Sequence, residues 1–425
     1  MTYWTPLLSA LLCLLPAGMG PPAAAQIALP PIQLPDATRT LPPLPDLRAE
    51  PLISVVDRLA QGRLDRIAAL LHDRHEYIER DERGEPAVRG VLVASGIDST
   101  MIARAADAGF ALLDRDRIEG LGLDIARFRI PEGRSLGRAR KQLAKLLPEA
   151  EVDVDNIYAA SGAAGGALSH ATLAAASGGG RTATLGLIDA GVAAHPSIAG
   201  RVEQRGFAQG APTPSRHGTA VASLLVGSGA VRGAAPGQRL LAADVYGTDP
   251  AGGSASAIAH ALGWLAQRGV AVATISLVGP DNKLLAAAVT RAQQRGMLIV
   301  AAVGNNGPAA PHAYPASYRG VLAVTGVDAK DRLLPEAGRA LHVDFAAPGD
   351  DVLAATGTDS RDRLRGTSFA APLVAGRLAL RYPAPAVARI GPAIAALVLE
   401  ARDLGRKGRD KIYGHGLICG DCGGR

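Results

Sequence analysis

Four side chains in this sequence have the right types for acyl-transfer chemistry. Ser368 lies in Gly366-Thr367-Ser368-Phe369-Ala370-Ala371-Pro372, a small-residue turn followed by an apolar helical pattern through Leu380. Backbone N–H groups in the first turn of a helix have no carbonyl partner within it, and the helix dipole favours negative charge there. A nucleophile that must stabilise an oxyanion needs both. A serine at a helix start is more often a simple N-cap, so Ser368 needs partners. His217, in His217-Gly218-Thr219, has an imidazole suited to take the serine proton. Asp189, before Ala190-Gly191, can hold the imidazole tautomer, and Asn305, in Gly304-Asn305-Asn306-Gly307, can donate its amide to an oxyanion. Taken singly, each has a plainer reading: a cap for His217, turn chemistry for Asp189, an Asn-Asn-Gly turn for Asn305. Together, in this order, they form a nucleophile, a base, an orienter and an oxyanion donor.

The elements that must position them alternate. Strands are expected over Thr184–Ile188, Leu240–Val245, Val270–Leu277, Met297–Val303 and Val321–Val327. Helices are expected over His217–Val226, Ser254–Arg268 and Asn282–Arg295. Apolar strands alternating with helices predict a doubly wound, mostly parallel α/β sheet covered on both faces. Asp189 and Asn305 then sit at carboxyl ends of strands, where such sheets bind ligands. Upstream, Ala87–Ala94, Ser99–Gly109, Phe110–Leu113, Asp124–Ile130, Ser135–Leu147 and Val152–Tyr158 read as βαββαβ, a small α+β unit of ferredoxin-like pattern.

The remaining segments divide the chain. Residues 1–25 carry an apolar run, Leu7–Leu15, and Ala23-Ala24-Ala25, and read as an export signal, although no Lys or Arg precedes the run. An uncleaved membrane anchor is the alternative. Residues 26–50 form a Pro-rich linker, 51–86 a helical segment, 87–158 the βαββαβ unit and 159–180 an Ala/Gly/Ser linker. Residues 181–416 form the α/β domain, and 417–425 a frayed tail whose Cys419 and Cys422 are free or paired. One nearby histidine, His415, with two cysteines falls short of the four ligands of a structural zinc site. The formal charge of +6 on 425 residues is too modest to argue for nucleic acid.

From about Arg181 to Gly416 the chain resembles the subtilisin-like serine proteases, the subtilases (peptidase S8). The resemblance rests on Gly186-Leu187-Ile188-Asp189-Ala190-Gly191, His217-Gly218-Thr219-Ala220-Val221-Ala222, Ala301-Ala302-Val303-Gly304-Asn305-Asn306-Gly307, Tyr314-Pro315-Ala316-Ser317, Phe345-Ala346-Ala347-Pro348-Gly349 and the Ser368 segment. The order Asp…His…Ser is that of the family. The resemblance implies a serine endopeptidase with catalytic Asp189, His217 and Ser368 and with Asn305 at the oxyanion. Ala190 departs from the family's usual Ser or Thr, which puts in doubt one hydrogen bond behind the triad. By position, Gly252, Gly253 and Ser254, and Ser276, Leu277, Val278 and Gly279, correspond to the two strands that hold the substrate backbone. An extended peptide would add between them.

The resemblance also implies that the βαββαβ unit is a propeptide that assists folding and inhibits its own enzyme, its tail entering the active site. The expected partners are thus a peptide or protein substrate and the chain's own propeptide, with no nucleic acid. A membrane is a partner only if the N-terminal segment stays uncleaved. The expected location is periplasmic or secreted. No cofactor is implied; many subtilases hold structural calcium, but no convincing carboxylate set is evident here. Two rival readings are a degenerate subtilase that binds peptides without cutting and a maturation protease dedicated to one partner protein.

Ala302 and Ala313 fall at the wall and floor of the family's first specificity pocket, and Ala313 stands where Gly is frequent. The added methyl makes the pocket shallower. A peptide library should therefore show small or medium apolar side chains preferred before the scissile bond; a profile dominated by Phe or Tyr would overturn this.

Overall fold

The computed structural model describes residues 52–160 and 183–422. The readings for the export segment, the Pro-rich linker and most of the Ala/Gly/Ser linker lie outside the described residues. At the centre is a seven-stranded sheet, all of whose pairings are parallel. Its order is Phe345–Pro348, Leu322–Val327, Leu298–Ala302, Val272–Ile275, Thr184–Asp189, Arg239–Asp244, Val202–Gly206. Successive side chains of a strand face opposite ways, so an apolar run serves two cores at once. Val300 and Ala302 enter the core under helices Arg216–Val226, Thr367–Arg381 and Ile390–Glu400. Ile299 and Ala301 enter the core under helices Ala255–Gln267 and Lys283–Gln294. Each of these last two helices starts at a residue suited to capping: Ser254 accepts from the Ala257 N–H, and Asn282 from the Leu285 N–H.

From Thr184–Asp189 the chain goes to the edge strand Val202–Gly206, returns to place Arg239–Asp244 between them, then crosses to add Val272–Ile275 on the other side. The order reverses between Thr184–Asp189 and Val272–Ile275, which opens a crevice at their carboxyl ends. Asp189 ends one strand and Ser276 follows the other.

The upstream unit is an antiparallel sheet in which Glu151–Asn156, Pro86–Ser95, Leu123–Arg129 and Ala111–Ile118 lie side by side in that order. Helices Ser99–Asp107 and Leu136–Leu146 pack on one face through Ala105, Ala139 and Leu143. The other face, with Val93, Ile118, Leu121 and Ile125, joins the core of the main domain's helices Ala255–Gln267 and Lys283–Gln294. Two upstream carboxylates meet the starts of those helices. Asp155 accepts from the Ser256 N–H (3.0 Å) and hydroxyl (2.6 Å), and Asp153 from the Lys283 N–H (2.9 Å). Burial pushes both carboxyls upward in pKa, and these hydrogen bonds oppose it.

Three boundaries differ from the sequence reading. The segment 51–86 is not helical throughout: the helix is Leu52–Asp73, and Ile78–Arg80 is a strand paired with Pro86–Val88. Asp81 accepts from the N–H groups of Arg83 and Glu85, and this local turn, with Gly84 at φ +81°, reverses the chain. The linker does not begin at 159, because Ala159–Ala160 is a strand paired with Leu277–Val278. The segment from 417 is not frayed over its described residues. Leu417, Ile418 and Cys419 are buried, Ile418 donates to the Ala346 carbonyl, and a disulfide joins Cys419 to Cys422.

The upstream unit approaches helix Ala255–Gln267 at a glycine pair. A Cβ on Gly120 would lie 1.8 Å from the Gly263 carbonyl oxygen, and one on Gly263 2.2 Å from the Ile118 side chain. Gly263→Val should therefore separate the two units at a cost of about 1–3 kcal/mol or more. Limited proteolysis should then cut the upstream unit faster than in the parent chain; equal resistance would contradict this packing.

Candidate active site

The serine is not an N-cap. Gly366 caps helix Thr367–Arg381 without a side-chain hydrogen bond, and Ser368 is the second helical residue, fully buried. Gly366 has φ +141°, a value that a side chain would resist, and it turns the chain sharply into the helix. Pro372 lies within the same helix and has no N–H to offer the carbonyl four residues back, that of Ser368. The Ser276 hydroxyl donates to that carbonyl instead, at 3.2 Å, and so ties the first turn to the central strand region.

His217 likewise does not cap its helix, because Ser215 does so by accepting from the Gly218 N–H. The imidazole is buried, and Nδ1 lies 2.8 Å from Asp189 Oδ1. That hydrogen bond leaves Nε2 as the nitrogen that faces chemistry; it is buried and has no hydrogen-bond partner among the described residues. The ring packs against Phe369, next to Ser368, with centroids 5.6 Å apart. Asp189 is wholly buried, and its Oδ1 also accepts from the Ala190 N–H at 2.7 Å. Its Oδ2 has no partner among the described residues. Ala190, standing where a hydroxyl residue is usual, has no side-chain donor to give it.

Asn305 lies in a turn between Gly304 and Gly307, both at positive φ. The turn reading holds, and the turn carries the Asn305 amide to the Ser368 helix. Asn305 Oδ1 accepts from the Thr367 N–H at 2.9 Å, which leaves Nδ2 as the group that can donate. Asn305 and the serine helix are therefore joined directly.

The two segments expected to hold a substrate backbone are held apart by a strand of the chain itself. Ile157 bridges Ser254, and the Tyr158 N–H donates to the Gly253 carbonyl at 2.8 Å. On the other side Ala159 pairs with Val278 and Ala160 with Leu277, antiparallel. Tyr158 is buried between the walls: its hydroxyl donates to the Pro280 carbonyl (2.7 Å), and the Tyr246 hydroxyl donates to its carbonyl (2.7 Å). Burial holds both phenols protonated, well above the usual tyrosine range. A Cβ on Gly279 would lie 2.5 Å from the Tyr158 ring, so Gly279 makes room for it. Residues Gly252–Ser254 and Leu277–Gly279 are thus brought together around one strand. Ala302, at the end of its own strand, and Ala313, whose N–H donates to the Arg339 carbonyl, are both buried nearby in sequence to Asn305 and Tyr314.

Sequence reasoning missed Tyr246 as a clamp and Ser276 as a helix tie. The Pro372 that leaves the Ser368 carbonyl in need of a donor was the signal for the second.

Comparison with known proteins places residues 180–416 in a match to the family described as the subtilase family. Subtilisin BL of Lederbergia lenta is 36% identical over 201 residues, covering 46% of this chain and 74% of that protein. The minor extracellular protease Epr of Bacillus subtilis (strain 168) is 31% identical over 250 residues, covering 56% of this chain and 38% of that protein. Among solved structures, fervidolysin from Fervidobacterium pennivorans, a keratinolytic enzyme related to subtilisin, overlays with a TM-score of 0.65 at 20% identity. That overlay covers 81% of this chain and 62% of the fervidolysin chain, and at this identity it speaks to the fold alone.

A Cβ on Gly218 would lie 2.1 Å from the Ala190 carbonyl oxygen, so this glycine lets the His217 helix reach the Asp189 strand. Gly218→Ala should push the helix away and lower kcat by about 10²-fold, the usual cost of a displacement near 1 Å. Activity within about twofold of the parent, measured on a chromogenic peptide, would contradict this reading of the geometry.

Proposed function

The chain belongs to the subtilase family, whose members are serine endopeptidases, and from that premise we propose that it is an exported serine endopeptidase made as a zymogen. The Ser368 Oγ attacks the scissile carbonyl while His217 Nε2 takes its proton. Asp189, hydrogen-bonded at Nδ1, orients the ring and stabilises the imidazolium that forms. The tetrahedral oxyanion is held by the Asn305 amide Nδ2 and the Ser368 backbone N–H. His217 then gives its proton to the leaving amine. The acyl-enzyme is hydrolysed by a water that His217 activates in the same way.

The observation that carries the zymogen reading is the occupied cleft. Strand Ala159–Ala160 makes antiparallel pairs with Leu277–Val278, and Tyr158 hydrogen-bonds Gly253, as a bound peptide would. The tail thereby competes with substrate for the same backbone groups. Cutting the chain between 160 and 183 would free the tail and open the cleft. The buried Asp189–His217 pair supports a working enzyme over a degenerate peptide binder, since burying such a pair has a cost that mere peptide binding does not require.

Ser368→Ala should leave the precursor uncut on expression, whereas the parent loses its N-terminal part. N-terminal sequencing of the parent product should find a start between 161 and 183. Asn305→Ala should lower kcat by about 10²–10³, the loss known for that donor in subtilisin itself. A Ser368→Ala chain that is still trimmed at the same position in a protease-deficient host would overturn the proposal.

A further inference from the structure

Helix Leu52–Asp73 precedes the upstream unit and makes no part of its sheet. Of its residues from 55 onward, none is fully buried. It is held by contacts along one stripe, at spacings of three, four and eight residues, which share a helix face. Leu59 lies over Gly307: a Cβ on that glycine would come within 2.9 Å of the Leu59 Cβ. Arg63 pairs with Glu85 of the upstream unit, itself only 12% exposed at the side chain. The Arg66 guanidinium donates to Asn306 Oδ1 at 2.8 Å. Just past the helix end, Arg74 donates to the Pro250 carbonyl at 3.0 Å.

Three of these contacts are shared between opposite rims of the cleft. Asn306 and Gly307 directly follow the oxyanion asparagine on one side. Pro250 lies two residues before the Gly252–Ser254 wall on the other. From Leu59 to Arg74 the helical rise is about 22 Å, enough to run from rim to rim. None of the rim contacts uses a backbone group that pairs with Tyr158–Ala160.

We infer that the enzyme carries a helix-docking site on the rim of its cleft, separate from the strands that hold the substrate. Its occupant is the helix Leu52–Asp73 of the same chain. The site takes an apolar knob at Gly307 and two guanidiniums, on the Asn306 amide oxygen and the Pro250 carbonyl. This inference rests on the zymogen reading and deepens it: the precursor is closed by two elements, tail and helix, joined through the upstream unit. Each raises the effective concentration of the other, so the pair closes the cleft far more firmly than either alone. Because none of its residues from 55 onward is fully buried, the helix is the element that opens first, by local fluctuation.

The test uses the full chain in its Ser368→Ala form, which stays in one piece, and reads amide hydrogen exchange in two regions. Leu59→Ala with Arg66→Ala should speed exchange across 304–310 roughly tenfold, a fraction of the avidity range, and across 277–279 by a smaller factor. Tyr158→Asp should do the reverse. In the otherwise native chain, Leu59→Ala with Arg66→Ala should shorten the lag before activity appears. Arg66 is exposed, so Arg66→Ala alone, and Asn306→Ala from the other side, test the contact without disturbing packing. Each should give the same gain, and the pair no more than one. Unchanged exchange at 304–310 and an unchanged lag in these variants would overturn the docking site. If only Tyr158→Asp has no effect, the failure belongs to the zymogen reading.

Discussion

A carboxylate with no exposure to water must find donors inside the protein, and in this chain Asp189 finds them at the one place where the sheet opens. Its partners are its neighbour's N–H and the His217 ring. Burying a charged or polar pair without good geometry is costly, so the surrounding elements are constrained to supply it. The strand that ends in Asp189 is central in the sheet, and the order of strands reverses beside it. Gly218 lets the helix of His217 approach, and Thr219 fixes that helix further, by accepting from the Ala193 N–H and donating to the Ser215 carbonyl. The rest of the site is hung from this pair.

The second constraint is the backbone of the cleft. Two edges face each other with unpaired strand positions, and an open edge invites a strand. The chain fills the gap with its own residues, and Tyr158 is buried in the space that Gly279 leaves. The upstream unit holds that strand in place from behind, through Asp155 on Ser256 and the carbonyl of Val154 on Asn282, at the starts of the two helices beside the cleft. Folding of the sheet, docking of the upstream unit and closure of the cleft are therefore coupled through shared hydrogen bonds.

Much of this was legible in the residues. Apolar runs of strand length between helical patterns marked the parallel sheet, because strands buried on both faces need no alternation. The short motifs around Asp189, His217, Asn305 and Ser368 marked the candidate site because glycines and small residues stand where backbones come close. What escaped notice was set by partners distant in sequence. Helical spacing of apolar residues from Pro51 to about Arg74 marked the helix Leu52–Asp73, but extending the segment to 86 passed over the turn at Asp81, whose signal was one aspartate before Gly84. Ala159–Ala160 looked like linker because its composition is linker-like; only the facing strand Leu277–Val278 makes it a strand. Leu417–Cys419 looked like a tail because the core that receives it includes Ala346 and Val327, some seventy to ninety positions earlier.

The most direct measurement is the site of covalent labelling by a fluorophosphonate, read by mass spectrometry on the processed chain. The account predicts a single phosphonylated residue, Ser368, with labelling lost when His217 is replaced by Ala. Labelling at another hydroxyl, or labelling of Ser368 at an undiminished rate without His217, would contradict the pairing of Asp189 and His217 with Ser368 on which the account is built.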